Sequence, residues 1–317
     1  MKSTLSKHLK INQLRLICAI AEHGQLSLAA NEVAVTQPAA SRMLSDIEQS
    51  IDAKLFERHA KGMELTLIGR RVAQRAHNML VELRDLSRDV DEMKRGESGV
   101  VTVGAVTGAA VGYVIPSIRQ LKAIAPKTEI NVNVDTSDVL LRDLVAGKND
   151  FVLARVMPQF DASDFEIRPA KSEDVRLIVR EDHPLAHVKE VSLRDLVSLE
   201  WVMQSHRVPM REAVNNAFLS AGLQPPDNII NSTSLLVMIS ILVSSSAIAP
   251  MASEVSDLLI GRQVGTRLKV LQLREPIQMS PYYLLKMKGR QLSPVAERLM
   301  SLVEEELKRN QRTSGGE

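Results

Sequence analysis

The chain has 317 residues, of which 44% are hydrophobic and 25% are charged. This composition excludes an intrinsically disordered protein and leaves room for two or three compact domains. The formal net charge is only +2, but residues 1–75 hold 11 Lys and Arg against 7 Asp and Glu. This local excess of basic residues predicts a small N-terminal domain that binds a polyanion, followed by a near-neutral remainder of the chain.

Three features bear on the compartment of the protein. Residues 1–10, MKSTLSKHLK, have no apolar core of the kind that a signal peptide needs. Residues 228–253 carry no charge, but their apolar run is too short to span a bilayer and Pro250 interrupts it. They predict a buried helix followed by a buried strand. Cys18 is the single cysteine and excludes a disulfide within the chain, so we expect a cytoplasmic protein without a membrane partner.

Three short helices are predicted near the N-terminus. Residues 11–22, INQLRLICAIAE, form a first amphipathic helix, which Gly24 ends. Ser27 is expected to cap a second helix, LAANEVA. Thr36 is expected to cap a third helix, since Pro38 is tolerated only in the first turn of a helix.

The third predicted helix has one apolar face and one polar face. The apolar positions are Ala40, Met43, Leu44, Ile47 and Ile51, and the polar positions are Gln37, Ser41, Arg42, Ser45 and Gln49. The polar face is nearly free of acids at its N-terminal end, unlike that of an ordinary solvated helix. Two short helices joined by a tight turn are typical of the helix-turn-helix, whose second helix enters the DNA major groove.

A short hairpin is predicted after the third helix. Residues 55–66, LFERHAKGMELT, form two short extended segments around Lys61 and Gly62, as a basic-tipped wing would. On periodicity alone, a generic helical subdomain is an alternative interpretation of the whole segment.

Residues 27–69 resemble the N-terminal winged helix-turn-helix of LysR-type transcriptional regulators over about forty residues in register. The matching positions are Ser27, Ala29, Ala30, Thr36, Gln37, Pro38, Ala39, Ser41, Glu48, Leu55, Phe56, Glu57, Arg58, Leu65, Thr66 and Gly69. Two departures affect the wing region: Ile51 and Asp52 replace the usual Leu-Gly, and Lys61 stands where Arg is common.

The resemblance implies a sequence-specific regulator that binds double-stranded DNA at an interrupted inverted-repeat promoter site. The implied DNA-binding residues are Ser27, Thr36, Gln37, Pro38, Ala39, Ser41, Arg42, Arg58 and Lys61. Among them, Gln37, Ser41 and Arg42 are expected to reach base edges or phosphates. Thr36, Pro38 and Ala39 are expected to set the entry of the recognition helix.

Residues 69–95 carry an apolar heptad seam without Pro and with Gly69 only at its start. Its members are Val72, Ala76, Met79, Leu83, Leu86, Val90 and Met93. The seam predicts a linker helix that holds a homodimer, or pairs of dimers in a homotetramer, because a helix-turn-helix usually reads two half-sites. The alternative is a single amphipathic helix packed on its own domain. Gly96 and Gly99 are expected to end the helix.

From residue 99 onward, apolar strands such as VVTVGAV and FVLARV alternate with helical segments. This rhythm predicts an open, mainly parallel α/β sheet. The arrangement resembles the two-lobed effector domain of the family, which is of the periplasmic-binding-protein type. The expected boundaries are 1–68 for the winged head, 69–98 for the linker helix, 99–309 for the effector domain and 310–317 for a disordered tail. Lobe 1 is expected at about 99–165 and 276–309, and lobe 2 at about 170–275.

Open α/β lobes bind ligands where strands end and helices begin. The candidate effector-binding residues at such loops are Thr107, Gly108, Thr136, Ser137, Gln204, Ser205, Arg207, Asn231 and Thr233. Ser and Thr at these points are also common helix caps, so a structural role is an alternative for each. Arg207 is either a partner for a carboxylate or phosphate, or a partly exposed structural Arg. Residues 244–246, Ser-Ser-Ser, replace the Gly-x-Gly of the family.

These features predict a regulator whose activity a small-molecule effector modulates. Within the family the chain resembles a subgroup near the galactose-binding protein regulator, which implies a sugar or an organic acid as effector. Aromatic residues, which usually stack on sugars, make up only 3% of the chain. The alternative is a small-molecule-binding protein or enzyme built on the α/β body. No catalytic motif or cofactor loop is recognisable, and His183 and His187 lack a nearby third metal ligand.

Overall fold

The computed structural model describes residues 9–60, 62–95, 99–205, 208–261 and 264–314. The chain divides into two compact units, Met1–Gly96 and Glu97–Glu317. The first unit is a winged helix-turn-helix with a long C-terminal helix, and the second is a two-lobed α/β body. The predicted fold class is confirmed. No helix of the described part of the chain is long and apolar enough to cross a membrane.

In its described residues, 9–60 and 62–95, the first unit contains four helices and a two-stranded hairpin. Their bounds are α1 Ile11–His23, α2 Leu26–Glu32, α3 Gln37–Ile51, β1 Phe56–His59, β2 Gly62–Leu65 and α4 Leu67–Arg95. Gly24 ends α1 with a φ of 63°, as predicted. Asp52, which replaces the usual Gly of the family, adopts the left-handed conformation at the end of α3, with a φ of 55°. Short polar side chains such as Asp tolerate this conformation better than most residues.

Of the two predicted helix caps, Ser27 is wrong and Thr36 is at the predicted position without the expected hydrogen bond. Helix α2 begins at Leu26 with Gln25 as its N-cap, so Ser27 lies inside the first turn instead of capping it. Thr36 occupies the N-cap position of α3, but its side chain makes no capping hydrogen bond. Pro38 lies in the first turn of α3, where its missing N–H needs no partner.

The long helix α4 changes its surroundings along its length. Near its start, Val72 and Ala76 pack against the core of the winged unit. Further along, four seam residues expose large apolar side chains to solvent: Met79, Leu83, Leu86 and Val90. The side chain of Met93 and the residue Gly96 lie outside the described part. The predicted seam is therefore divided between packing within the unit and an exposed apolar stripe.

In its described residues, the second unit contains a seven-stranded sheet and a separate two-stranded sheet. Its helices are α5 Thr107–Ala109, α6 Ile115–Ile124, α7 Ser137–Val145, α8 Pro209–Ser220, α9 Leu235–Ser244, α10 Ser253–Ile260 and α11 Pro294–Ser314. A π-helical turn, Ala110–Val114, joins α5 to α6. Its strands are β3 Val100–Ala105, β4 Glu129–Val134, β5 Phe151–Ala154, β6 Phe165–Arg180, β7 Trp201–Met203, β8 Ile229–Asn231, β9 Ala249–Ala252, β10 Leu268–Val270 and β11 Ile277–Met287.

The strand order is β10-β6-β11-β5-β3-β4, with β9 also paired to β6. Strands β4, β3 and β5 are parallel, as are β7 and β8. The long strands β6 and β11 pair antiparallel to one another and to their other neighbours. The expectation of a mainly parallel sheet is therefore wrong for the strands that connect the lobes.

Strands β6 and β11 cross between the lobes. Phe165 and Ala170 of β6 belong to the core of lobe 1, together with β3, β5 and α11. From Val175 onward, β6 contributes to the cores of lobe 2. Likewise, β11 packs in lobe 2 at Met279 and in lobe 1 from Tyr282. Lobe 1 thus has one apolar core and lobe 2 has two among the described residues, and β6 and β11 join the lobes.

Two predictions about the C-terminal half need correction. Residues 310–314 continue α11 as a helix instead of starting a disordered tail, and 315–317 lie outside the described residues. The uncharged run at 228–253 does contain a helix and a buried strand, α9 and β9. However, α9 is only partly buried, since Leu236 is 73% exposed.

Candidate DNA-binding surface and effector cavity

The predicted DNA-contacting residues of α3 lie at its N-terminal end, on the surface. Thr36, Gln37, Pro38 and Arg42 are exposed, whereas Ala39 and Ser41 are half-buried. The first turn of α3 has no acidic residue, so its free N–H groups face solvent without a competing carboxylate. This end of the helix is electrostatically suited to phosphate.

The wing lies close to the recognition helix. Arg58 on β1 donates a hydrogen bond from Nη2 to Ser41 Oγ at 3.3 Å, which brings two predicted DNA-contacting residues together. Arg42 makes a long contact of 3.5 Å from Nε to Pro38 O. Ser27 is exposed on α2. Lys61, the predicted basic tip, lies outside the described residues.

A buried carboxylate fixes the start of the wing. Glu48 Oε1 accepts hydrogen bonds from the N–H groups of Leu55 at 2.9 Å and Phe56 at 3.3 Å, and its other oxygen meets Lys54 Nζ at 2.6 Å. Burial alone would raise the pKa of Glu48, but these bonds outweigh it and lower the pKa below the ordinary Glu value. Glu48 therefore stays charged and holds β1, with Arg58, against α3.

At two glycines of the winged unit, the backbone packs closely against another segment. Met63 N–H donates to Gly24 O at 2.7 Å, and a Cβ at Gly62 would overlap with that same carbonyl. A Cβ at Gly69 would overlap with Leu55 O, while Thr66 Oγ1 accepts from the Gly69 N–H at 2.9 Å. The Leu-Thr-x-x-Gly pattern thus packs the start of α4 directly onto the wing.

A cavity of about 520 Å³ lies between the two lobes of the second unit. Lobe 1 contributes the loops after β3 and β4, and lobe 2 contributes the loop after β7, the start of α8 and α9, and strand β9. Its size is typical of a small-molecule site. Its apolar wall consists of Val106, Val134, Val208, Pro209, Met210, Leu235, Met238, Pro250, Met251, Ala252, Val255 and Met279.

Most of the predicted effector-binding residues meet at this cavity. Those that line it are Thr107, Gly108, Thr136, Ser137, Gln204 and Thr233. Ser205 and Asn231, although described, do not line it, and Arg207 lies outside the described residues. Gln204 Oε1 is buried and has no hydrogen-bond partner among the described residues, so it offers an unused acceptor.

The sequence did not reveal a buried ion pair in the cavity wall. Arg155 follows β5 directly, and its Nη2 is paired with Oε2 of Glu173 on β6. Arg155 also donates from Nε to Ser280 O on β11 at 2.9 Å. Burial raises the pKa of Glu173, and the neighbouring Arg155 only partly offsets that effect. Arg155 could have been predicted from the sequence, because it is a charged residue directly after a predicted parallel strand. No sequence pattern around Glu173 points to its position in the cavity wall.

Two predicted residues are closely tied to this ion pair. Ser137 is buried, and its Oγ accepts a hydrogen bond from the Arg155 N–H at 3.0 Å, so its hydroxyl supports the cavity wall. A Cβ at Gly108 would overlap with Glu173 Oε1 and would lie 2.9 Å from Ala252 Cβ. Gly108 therefore has a steric reason to be glycine.

The two histidines considered as metal ligands have other contacts. His183 is buried and accepts the Leu185 N–H at Nδ1, 3.1 Å away, while His187 Nδ1 lies 2.9 Å from Lys269 Nζ. Among the described residues, no group of three His, Cys, Asp or Glu side chains is arranged to hold a metal ion.

Each of the two units matches a known protein family. Residues 11–70 match the bacterial regulatory helix-turn-helix protein of the lysR family, and residues 94–308 match the LysR substrate binding domain. The chain belongs to the LysR family. It is therefore a DNA-binding transcriptional regulator with a substrate-binding domain, and this family membership decides against the enzyme alternative.

Individual proteins support the same assignment. The HTH-type transcriptional regulator GbpR of Rhizobium radiobacter is 39% identical over 255 residues, covering 80% of this chain and 84% of that protein. GbpR of Azospirillum brasilense is 31% identical over 293 residues, covering 92% and 85%. The predicted subgroup is confirmed. The crystal structure of full-length CbnR complexed with target DNA shares the fold, with a TM-score of 0.51, 20% identity and coverage of 94% and 100%.

Proposed function

We propose that this LysR-family regulator is controlled by a small hydroxyl-bearing molecule that binds in the cavity between the two lobes. The supporting observation is that both lobes present polar side chains to one cavity, including Thr107 and Thr136 from lobe 1 and Gln204 and Thr233 from lobe 2. A ligand that touches both lobes stabilises one arrangement of the lobes over others, and only that difference in affinity can shift the equilibrium.

The charges of the cavity favour a neutral ligand over an acid. Among the described lining residues, Asp135 and Glu173 are acidic, and the guanidinium of Arg155 is already bound to Glu173 and Ser280 O. A carboxylate ligand would find no unpaired cation among these described residues and would be repelled by Asp135, whereas sugar hydroxyls can donate to the acids and to Gln204 Oε1 and accept from Thr107. A sugar therefore fits better than the organic acid that was the other predicted effector. The apolar wall would cover its C–H faces in place of aromatic rings.

The DNA partner is proposed to be an interrupted inverted-repeat promoter site read by a homodimer. Gln37, Ser41 and Arg42 would contact bases or phosphates, and Arg58 would contact the backbone from the wing. The exposed stripe of α4 supports a dimer, because four large apolar side chains at heptad spacing face solvent in the single chain. Binding to chromosomal DNA implies a cytoplasmic location.

Isothermal titration calorimetry of the full-length protein tests the ligand class. The neutral sugars D-galactose and D-glucose are titrated in parallel with the acids D-galacturonate and D-gluconate. We expect heat of binding from a neutral sugar, and loss of that heat in Thr107→Val, which keeps the side-chain shape but removes the hydroxyl. Ser301→Ala, at a half-buried position of α11 that does not line the cavity, is the matched control. Saturable binding of the acids alone would contradict the proposed ligand class.

A further inference from the structure

A cluster of polar side chains joins the two lobes beside the cavity. Glu254, in the first turn of α10, belongs to lobe 2. Its Oε1 accepts a hydrogen bond from the Tyr113 hydroxyl of lobe 1 at 3.3 Å, and Lys171 Nζ on the crossing strand β6 lies at the same distance. One carboxylate oxygen thus contacts lobe 1 and a crossing strand together.

The helical segment of lobe 1 is pressed against this carboxylate. A Cβ at Gly112 would lie 2.7 Å from Glu254 Cγ, so a side chain at this position would force Glu254 to shift. Gly108, four residues earlier, makes a similarly close approach to Ala252. Residues four apart share one face of a helical segment, so Gly108 and Gly112 form one glycine face. Because this face has no side chains, Ala252 and Glu254 of lobe 2 can pack directly on the backbone of lobe 1. The Glu254 side chain thus packs directly against Gly112.

The charges of the cluster keep these bonds formed at neutral pH. Burial, together with the negative charge of Glu254, raises the pKa of Tyr113, so its hydroxyl keeps the proton that it donates. Burial would lower the pKa of Lys171, but Glu254 and Tyr113 outweigh it and raise the pKa, so Lys171 stays cationic. The Tyr113 bond is longer than a typical O–H···O bond of about 2.7 to 2.8 Å, and the Lys171 contact is longer than a typical charge-assisted N–H···O bond of about 2.7 to 2.9 Å. Both contacts therefore depend on the present orientation of the lobes.

The cluster lies where the crossing strands are irregular. The β6–β11 register shifts between Met279 and Tyr282 and again at Tyr283. Tyr282 lies in this stretch, and its ring centre is 6.4 Å from that of Tyr113. Because a regular ladder resists bending, the irregular stretch is where the lobes can rotate relative to one another.

We propose that Glu254 is a latch between the lobes, which fixes their relative orientation through Tyr113 and Lys171. The latch belongs to the two-lobed body itself and does not depend on the identity of the effector. Removing it lets the lobes sample other orientations while each lobe keeps its own core.

Spin labels on the two lobes of the full-length protein test the latch. Lys148→Cys in lobe 1 and Ser220→Cys in lobe 2 provide exposed label sites, in a Cys18→Ala background. Labelled protein is mixed with excess unlabelled protein, so that double electron–electron resonance reports distances within one chain. We expect a single narrow distribution for this background, and a broadened or shifted one when Glu254→Ala or Tyr113→Phe is added.

The matched control is Glu190→Gln, which removes a charge of the same sign from an exposed 3.0 Å pair with Arg274 inside lobe 2. It should leave the distribution narrow. Glu254→Gln, which keeps an acceptor for Tyr113, should give an intermediate width and serves as the test if Glu254→Ala fails to fold. Folded Glu254 and Tyr113 variants with the background distribution would overturn the latch, whatever the outcome of the sugar titrations.

Discussion

Arg42 combines exposure with a place on the face of α3 that is predicted to meet DNA. Arg42→Ala should weaken binding to a cognate promoter by about 1 to 3 kcal/mol if the guanidinium contacts a base. Arg119→Ala, which removes an exposed Arg from lobe 1, is the charge-matched control. Electrophoretic mobility shifts with cognate and unrelated DNA give both affinities. An equal loss on both DNAs would assign Arg42 to the phosphates, and no loss on either would remove it from the interface.

Glu48 acts inside the winged unit, where its carboxylate holds two backbone N–H groups. Glu48→Ala leaves these groups unpaired and should destabilise the wing by about 1 to 3 kcal/mol. Hydrogen exchange of the Leu55 and Phe56 amides at pH 7 measures the loss locally. The same exchange should be unchanged in Glu57→Ala, an exposed position on β1.

The contribution of Glu48 also depends on pH. Because its pKa is lower in the folded than in the unfolded state, the charged form stabilises the fold above the unfolded value of about 4.3. This stabilisation is lost as the pH falls through the folded value. Wild type and Glu48→Ala should therefore converge in stability in acid. A difference that stays constant from pH 7 to below pH 4 would show that packing, not charge, explains the effect.

The exposed apolar stripe of α4 is proposed to pack against a second copy of the chain. Leu83→Lys with Leu86→Lys would bury charges in an apolar interface at a cost of several kcal/mol and should yield monomers. The control is Glu82→Lys with Ser87→Lys, which adds lysines at neighbouring exposed positions off the seam. Sedimentation velocity of the full-length protein measures the assembly. If the seam variant sediments like the wild type, α4 does not hold the oligomer.

The sequence predicted the elements whose signals are local. The seam, the wing and the helix stop at Gly24 follow from periodicity and backbone preference within a few residues. The antiparallel crossing of β6 and β11 could not be predicted in this way, because it depends on pairing between residues about 110 apart. Arg155 and Glu173 were missed for the same reason: they become partners only when β5, β6 and β11 lie side by side. The cap at Ser27 was wrong because α2 begins before it, at Leu26, whereas Thr36 does occupy the N-cap position of α3 but without a side-chain bond.

The protein can act as a switch only when ligand binding in the cavity changes DNA binding. The ion pair of Arg155 and Glu173 links the cavity to the strands that join the lobes, since it lines the cavity and Arg155 also donates to Ser280 O in the irregular stretch of β11. A hydroxyl that hydrogen-bonds to Glu173 therefore acts directly on the strands that join the lobes. Coupling of this kind is typically about 1 to 3 kcal/mol.

Glu173→Gln and Thr107→Val should abolish the effect of the bound sugar on the promoter footprint, and Thr107→Val, which leaves the ion pair intact, should leave the footprint without sugar unchanged. The physical reason is that both changes remove ligand contacts that favour one lobe arrangement, whereas neither residue lies in the winged unit. DNase I footprinting with and without the sugar identified by calorimetry makes the comparison, with Ser301→Ala as control. A sugar-dependent footprint that persists in both variants would place the effector outside this cavity. A footprint already altered without sugar in Glu173→Gln would instead show that the ion pair sets the resting state, because its loss alone would then move the lobes.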